Sequence, residues 1–237
     1  ALTEGASFSG CSFDGMSAED RLTFEGKKFE NVTFTNIKGG SITIPDGTQV
    51  DGMDIRGAHA QLYIGHASVS RLDASDARIV TFTAAEGAEI SHSTFNGTTI
   101  GMGSKLDGSK WTDVEFNGAN LVSVDMKNTT LNNVRFNGKS DLSGLDISGA
   151  KINNLYINGE LITDVKQLGE FGFILDQKTT LTADPEMVRK QQIQTNADLV
   201  KDIGTTLLGS MNSIGTTSPA AAPEAIAQAP AEIAAAI

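Results

Sequence analysis

The chain contains 237 residues, of which 29 are acidic and 18 are basic, so its formal net charge is −11. This charge repels a phosphate backbone and argues against direct nucleic-acid binding. The single cysteine, Cys11, excludes an intramolecular disulfide and a cysteine-ligated metal site, and no apolar run reaches the roughly 18 residues of a membrane-spanning helix.

Large apolar residues recur every five positions along most of the chain, with occasional one-residue slips. The early runs are Phe24, Phe29 and Phe34, then Ile64, Val69, Ala74 and Ile79, then Ile90, Phe95 and Ile100. The longest runs are predicted to form the structural core, with centres at Leu106, Trp111, Phe116, Leu121, Met126, Leu131, Phe136, Leu142, Ile147, Ile152 and Ile157. A period of five matches neither an α-helix, with about 3.6 residues per turn, nor a strand, with about 2, so it predicts a turn every five residues.

The charged residues support this assignment of inward and outward positions. A smaller side chain lies two residues before each centre and is predicted to face the same interior. None of the charged residues between Ser104 and Ile157 falls on an inward position, whereas random placement would put roughly five of them there. Burying an unpaired charge in a narrow apolar core is unfavourable, so the absence of inward charges favours the assignment.

The repeat resembles that of the pentapeptide-repeat family, which has the pattern Ala-Asp/Asn-Leu-x-x. Ala119-Asn120-Leu121 matches the pattern fully, whereas Val124-Asp125-Met126 and Leu145-Asp146-Ile147 match it loosely. The resemblance implies an all-β solenoid, a right-handed quadrilateral β-helix with four pentads per coil. Residues 6–165 are then predicted to form about eight coils, since four pentads make twenty residues.

In such coils, residues twenty positions apart are predicted to be stacked neighbours. Phe116 would lie over Phe136 and Trp111 over Leu131. The same spacing predicts three ion pairs between coils, which are Lys105 with Asp125, Asp107 with Lys127, and Glu115 with Arg135. Because residues of both charge signs lie along these faces, the sequence argues against a continuous stripe of negative charge.

The five-residue period ends near Val165. Residues 166–183, which include the apolar segment Gly169–Leu175, are predicted to cap the last coil, because an open coil end leaves strand edges unpaired. Asp184-Pro185-Glu186 is a strong helix start and predicts one α-helix over residues 184–213. After it, residues 214–237 are rich in Ala and Pro and are predicted to be a linker or disordered tail.

The predicted helix carries an apolar stripe at helical spacing. A stripe of this kind packs on another surface, and the sequence leaves open whether that surface is the β-helix or another chain. We therefore consider it a candidate interaction helix, with the residues Ile193, Val200, Ile203, Leu207 and Met211.

No residue pattern predicts a catalytic, cofactor-binding or metal site. His59, His66 and His92 lack a ligand spacing, and Cys11 occupies an inward position at which cysteine behaves as a small hydrophobe. Paired catalytic carboxylates require a closed pocket, which a filled solenoid does not offer.

The sequence therefore favours a non-enzymatic protein–protein interaction module. Within the family, the degenerate repeats, the following helix and the Ala/Pro tail are similar to the β-helix portions of bacterial secreted effectors; the sequence does not determine the localisation or the identity of the protein partner. One alternative is an acidic DNA mimic that binds DNA gyrase or topoisomerase, a role known for acidic members that dimerise through their C-terminal ends. The partner would then include a second copy, bound through the C-terminal helix or a coil end. The other alternative is a polysaccharide-active enzyme on a β-helix.

Overall fold

The computed structural model describes residues 7–17, 19–24 and 28–214, without the side chains of residues 7, 204 and 207–214. The chain falls into two units, Ala1–Gln191 and Gln192–Ile237. The first unit is a parallel β-solenoid of about seven turns. The predicted tail, residues 214–237, lies outside the described residues from residue 215 onward.

The strands of the solenoid form two sheets, and strands that are neighbours in a sheet come from successive coils. A twelve-stranded sheet follows the order β1-β4-β6-β8-β10-β12-β14-β15-β16, with β2, β13 and β17 at its sides. Its members are β1 (Ser7–Ser9), β2 (Ser12–Asp14), β4 (Lys28–Thr35), β6 (Gln49–Asp54), β8 (Ser68–Asp73), β10 (Glu89–Ser91), β12 (Lys110–Thr112), β13 (Glu115–Asn117), β14 (Thr130–Asn137), β15 (Lys151–Ile157), β16 (Glu160–Leu161) and β17 (Thr180–Thr182). Pairing is parallel throughout this set except between β15 and β16.

The second sheet is smaller and lies in the N-terminal half of the solenoid. Its order is β11-β9-β7-β5-β3, and its members are β3 (Arg21–Thr23), β5 (Lys38–Ile44), β7 (His59–Ile64), β9 (Arg78–Ala84) and β11 (Thr99–Ile100). The pairing register shifts within β5/β7 and again within β7/β9. These irregularities let strands of slightly different length stay in parallel register.

The coils are not uniformly twenty residues long. Lys28 pairs with Gln49 and Glu89 with Lys110, each 21 residues apart, whereas Lys110 pairs with Thr130 at a distance of 20 residues. The solenoid has about seven turns where the sequence predicted about eight, and the regular parallel coils end at β15, which β16 follows in antiparallel pairing.

Stacking of the large side chains follows the predicted register in the regular part. Phe116 pairs with Phe136 and Trp111 with Leu131. The rings of Phe116 and Phe136 are 5.1 Å apart and nearly parallel. All the centres of the longest runs are buried. These centres are Leu106, Trp111, Phe116, Leu121, Met126, Leu131, Phe136, Leu142, Ile147, Ile152 and Ile157.

Several inward positions hold hydroxyl groups, and each has a hydrogen-bond partner. Ser109 Oγ donates to the carbonyl of Leu106 at 2.5 Å and accepts from Trp111 Nε1 at 2.7 Å. Thr129 donates to the carbonyl of Met126. Among the described residues no buried side-chain nitrogen or oxygen lacks a partner, so these polar groups are compatible with a dry core.

The C-terminal part of the first unit pairs with the last regular coils. Ile174 bridges to Asp146, and β17 pairs with β15. Between the last coil and these segments the chain forms a short helix, α1 (Val165–Glu170), in addition to the predicted one. The long helix, α2, spans Pro185–Ile214 and crosses from the first unit into the second.

A column of left-handed backbone conformations marks one corner of the solenoid. Its members have φ between 52° and 84° and are Gly15, Asn36, Gly57, Asp76, Gly97, Gly118, Gly138 and Gly159. At Gly138 a Cβ would also collide with Oδ1 of Asn117 from the preceding coil. This position therefore requires glycine for two reasons, the positive φ and the close approach of the stacked asparagine.

Gly138→Ala should lower the free energy of unfolding by about 2 kcal/mol, because a left-handed alanine costs about 1–2 kcal/mol and the Asn117 side chain must also move. Gly57→Ala is a matched control, since Gly57 has a similar φ of 65° but nothing within 4 Å of its missing Cβ. Chemical denaturation of both variants measures the difference. An equal loss for the two variants would show that the Asn117 contact has no effect.

Candidate interaction surfaces of the β-helix

The interior of the solenoid is filled, and the clefts found on it are open depressions of its surface. The larger ones have volumes of 580, 550 and 430 Å³. In the described part of the chain, no group of three or more His, Cys, Asp or Glu residues is placed to hold a metal ion. No helix there is both long and apolar enough to cross a membrane.

The histidines and the cysteine occupy separate places. His66 Nδ1 lies 3.1 Å from Asp46 Oδ1, and His92 Nε2 lies 3.3 Å from Asp113 Oδ2, so each histidine contacts a carboxylate of a neighbouring coil. His59 lies in β7 of the smaller sheet. Cys11 is partly buried against the core. The structure brings no two of these four residues together as a nucleophile and its base.

The three ion pairs predicted from the twenty-residue spacing are wrong, although the backbone stacking of two of them is right. Lys105 is bridged to Asp125 and Glu115 is paired with Arg135 in the strand register, but no ion pair joins the charged groups of either pair. Lys127 contacts Asp125 at 2.9 Å within its own coil and Asp146 at 3.2 Å in the next coil.

The remaining partners of these three pairs also differ from the prediction. The guanidinium of Arg135 lies 4.6 Å from the ring centroid of Tyr156. Asp107 accepts a hydrogen bond from the side chain of Asn128. Long side chains reach any acceptor within a few ångströms, so backbone stacking alone does not determine their partners.

Charges on the larger sheet are mostly neutralised by near neighbours. Arg71 Nε lies 2.6 Å from Asp51 Oδ1, and this bond together with a hydrogen bond from Ser70 lowers the pKa of Asp51 to about 2. Arg56 lies 2.7 Å from Asp54 and lowers the pKa of that carboxyl.

The signs also vary along the rows of stacked outward residues. The row through Lys28 continues with Gln49, Ser68, Glu89 and Lys110. Lys110 Nζ and Glu89 Oε1 are 3.0 Å apart, so these two opposite charges form a pair within the row. This row offers no continuous negative stripe.

One row in the smaller sheet contains only basic residues over three coils. Lys38 pairs with His59 and His59 with Arg78 in the strand register, and Thr99 follows. We call Lys38, His59 and Arg78 the basic row. Sequence reasoning missed it because the members are separated by 21 and then 19 residues, so no constant period connects them.

Exposed large apolar side chains are rare on the coils. Within the described part of the solenoid before the C-terminal segments, only Val80 and Met102 are exposed, with 41% and 76% of their surface accessible. Val80 follows Arg78 by two residues in β9. Gly101, which precedes Met102, is stacked against the carbonyl of Val80. Both apolar side chains therefore lie near one end of the basic row.

The candidate interaction helix was predicted from an apolar stripe. In the second unit, Ile193, Val200 and Ile203 are exposed, with 59%, 70% and 52% of their surface accessible. The side chains of Leu207 and Met211 lie outside the described residues.

The parallel coils, the inward pairs of side chains and the glycine-rich corners define the chain as a β-solenoid built from short repeats. Residues 102–138 match the family of pentapeptide repeats with eight copies. This stretch of the chain therefore carries pentapeptide repeats, and the β-solenoid has the fold known for such repeats.

Two of the solved structures with detectable similarity are of QnrB1, described as a plasmid-mediated fluoroquinolone resistance protein. The first is 18% identical, covers 81% of this chain and 98% of that chain, and has a TM-score of 0.49. The second is 10% identical, covers 81% and 97% of the two chains, and has a TM-score of 0.38. A comparison with curated proteins gives no match. Likenesses at these levels carry no conclusion about activity.

Proposed function

We propose that this chain is a non-enzymatic protein-binding module, in which the β-solenoid displays rows of outward side chains to a protein partner. The observation that carries the proposal is the filled interior. Large side chains such as Trp111 and Phe116 lie fully buried in it, and the buried hydroxyls have hydrogen-bond partners there. The chemistry that the solenoid offers to another molecule is therefore on its outer faces.

Two narrower forms of the proposal have their own support. A role as the β-helix part of a bacterial secreted effector is supported by the degenerate repeats and by the helix α2 that follows them. Pairing of two copies through α2 is supported by the exposed apolar residues Ile193, Val200 and Ile203.

The alternative of a DNA mimic that binds gyrase or topoisomerase is supported by the net charge of −11. The local pairing of charges weighs against it, because mimicry of a phosphate backbone needs unpaired carboxylates in a continuous stripe. A supercoiling assay distinguishes this alternative from the main proposal. We expect no inhibition of gyrase by the wild-type chain at concentrations that saturate the protein partner.

Four single substitutions test the main proposal, each on a different row of stacked residues and each with the same change of charge. They are Lys151→Glu, Arg135→Glu, Arg78→Glu and Lys105→Glu. Cross-linking of the wild-type chain in host and bacterial lysates should yield a stoichiometric protein complex, and one of the four variants should lose it. A wild-type chain that forms no saturable complex, or that turns over a polysaccharide, would contradict the proposal.

A further inference from the structure

We propose that the basic row and the cleft beside it form a docking site for an acidic segment of a partner protein in which carboxylates alternate with large apolar side chains. This inference rests on the proposed function, since it names the surface and the kind of partner. It goes further by excluding the other rows of the solenoid as the primary contact.

The first argument is the charge of the basic row. Lys38 and Arg78 flank His59 on adjacent strands, and neighbouring strands in a sheet are about 4.8 Å apart. The two cations of the row, Lys38 and Arg78, are therefore about two strand spacings apart, and like charges at this distance repel each other. None of the three side chains makes a hydrogen bond or ion pair with any residue that the structure describes. Arg71 and Arg56, in contrast, are neutralised by carboxylates close by.

The second argument is the shape of the surface at the basic row. A cleft of 240 Å³ is lined by Arg21, Lys38 and His59, with Gly39, Gly40, Ser41 and Ala60 among its other residues. It lies where the register of β5 and β7 shifts. Small residues form this part of the cleft, and they leave room for a carboxylate to approach the cationic groups.

Close packing maintains the small residues on one side of the cleft. A Cβ at Gly40 would lie 2.6 Å from the carbonyl oxygens of Asp20 and Ser17, so a larger residue cannot replace it without movement of the backbone. The side-chain carboxylate of Asp20, whose main-chain carbonyl lies against Gly40, accepts hydrogen bonds from Ser17 N and Oγ at 2.6 and 2.9 Å. This carboxylate is therefore engaged within its own turn.

The third argument is the apolar surface beside the charges. Val80 lines the same cleft, and Met102 lies one coil further on. Exposed apolar side chains next to unpaired cations fit a segment that offers both carboxylates and apolar groups. A phosphate backbone would gain little from Val80 and Met102, and the net charge of −11 would repel it. The observations therefore favour an acidic peptide over a nucleic acid.

The test uses the full chain and a short fluorescein-labelled peptide in which Glu alternates with Leu. Fluorescence anisotropy should show saturable binding, and the affinity should fall as the salt concentration rises, because exposed charges are screened. The double variant Lys38→Gln, Arg78→Gln should bind about ten-fold more weakly. The matched control Lys105→Gln, Lys151→Gln removes the same charge from other rows and should bind within about two-fold of wild type.

Two further probes make the outcome decisive. A peptide with Gln in place of Glu should not bind, and Met102→Ser should weaken binding of the Glu-Leu peptide. Equal binding by the two double variants, equal binding of the Glu and Gln peptides, or tighter binding of a single-stranded oligonucleotide than of the Glu-Leu peptide would overturn the inference. If the partner complex is lost only with Lys151→Glu, Arg135→Glu or Lys105→Glu, the proposed function stands and the basic row is not its site.

Discussion

Phe116→Ala is expected to lower the free energy of unfolding by about 3–5 kcal/mol, the range for truncating a buried phenylalanine. The Phe116 ring is fully buried between Phe95 and Phe136, with ring centroids 5.0 and 5.1 Å away, and it also packs against Trp111 at 5.8 Å. Removing it leaves a cavity between the rings of the two neighbouring coils. Neighbouring coils cannot close this cavity, because their spacing is set by the strand hydrogen bonds.

Phe171→Ala is the control for this experiment, since 37% of the Phe171 surface is exposed and the residue follows helix α1. It should change the free energy of unfolding by less than about 1 kcal/mol. Denaturant titration followed by both tryptophan fluorescence and circular dichroism measures the effect, and coincident transitions test whether the solenoid unfolds as one unit. Similar losses for the two variants would contradict the assignment of Phe116 to the core.

Leu168→Ala is expected to lower the free energy of unfolding by about 2–4 kcal/mol and to promote self-association. Leu168 is the fully buried residue of α1, and the helix is held at its start by a capping box between Asp164 and Gln167. Loosening α1 weakens the cover over the last coil, where Phe173 packs edge-on against Phe136 at 5.8 Å. An uncovered coil end presents apolar side chains and strand edges to another molecule.

Lys166→Ala provides the comparison, because Lys166 is exposed on the same short helix. Static light scattering during heating, together with the unfolding midpoint, should separate the two variants. A Leu168→Ala chain that stays monomeric and unfolds at the wild-type midpoint would show that α1 does not protect the coil end.

Helix α2 shows which structural features a short sequence pattern can predict and which it cannot. The Asp184-Pro185-Glu186 start was read from the sequence, and the helix begins at Pro185 with Asp184 accepting from the amide of Glu186. The stripe of Ile193, Val200 and Ile203 follows from the helical period, but its exposure does not. Whether the stripe is buried depends on the presence of a complementary surface elsewhere, and the sequence of the helix alone does not determine this. The short helix α1 was missed because its six residues are too few to show a helical period.

The five-residue period by itself predicted a turn every five residues and determined which side chains face inward, and the solenoid followed from the resemblance of the repeat to a known family. Predicting the inward side chains is possible because the side chains of every pentad point alternately into the dry interior and into water. The assignment of Leu106 or Phe136 to the interior therefore depends only on residues close in sequence. Only the tertiary structure decided which outward residues become neighbours, since one-residue insertions change the stacking across coils. The alignment of Lys38, His59 and Arg78, at separations of 21 and 19 residues, and the contacts of Lys127 with two carboxylates are consequences of those insertions.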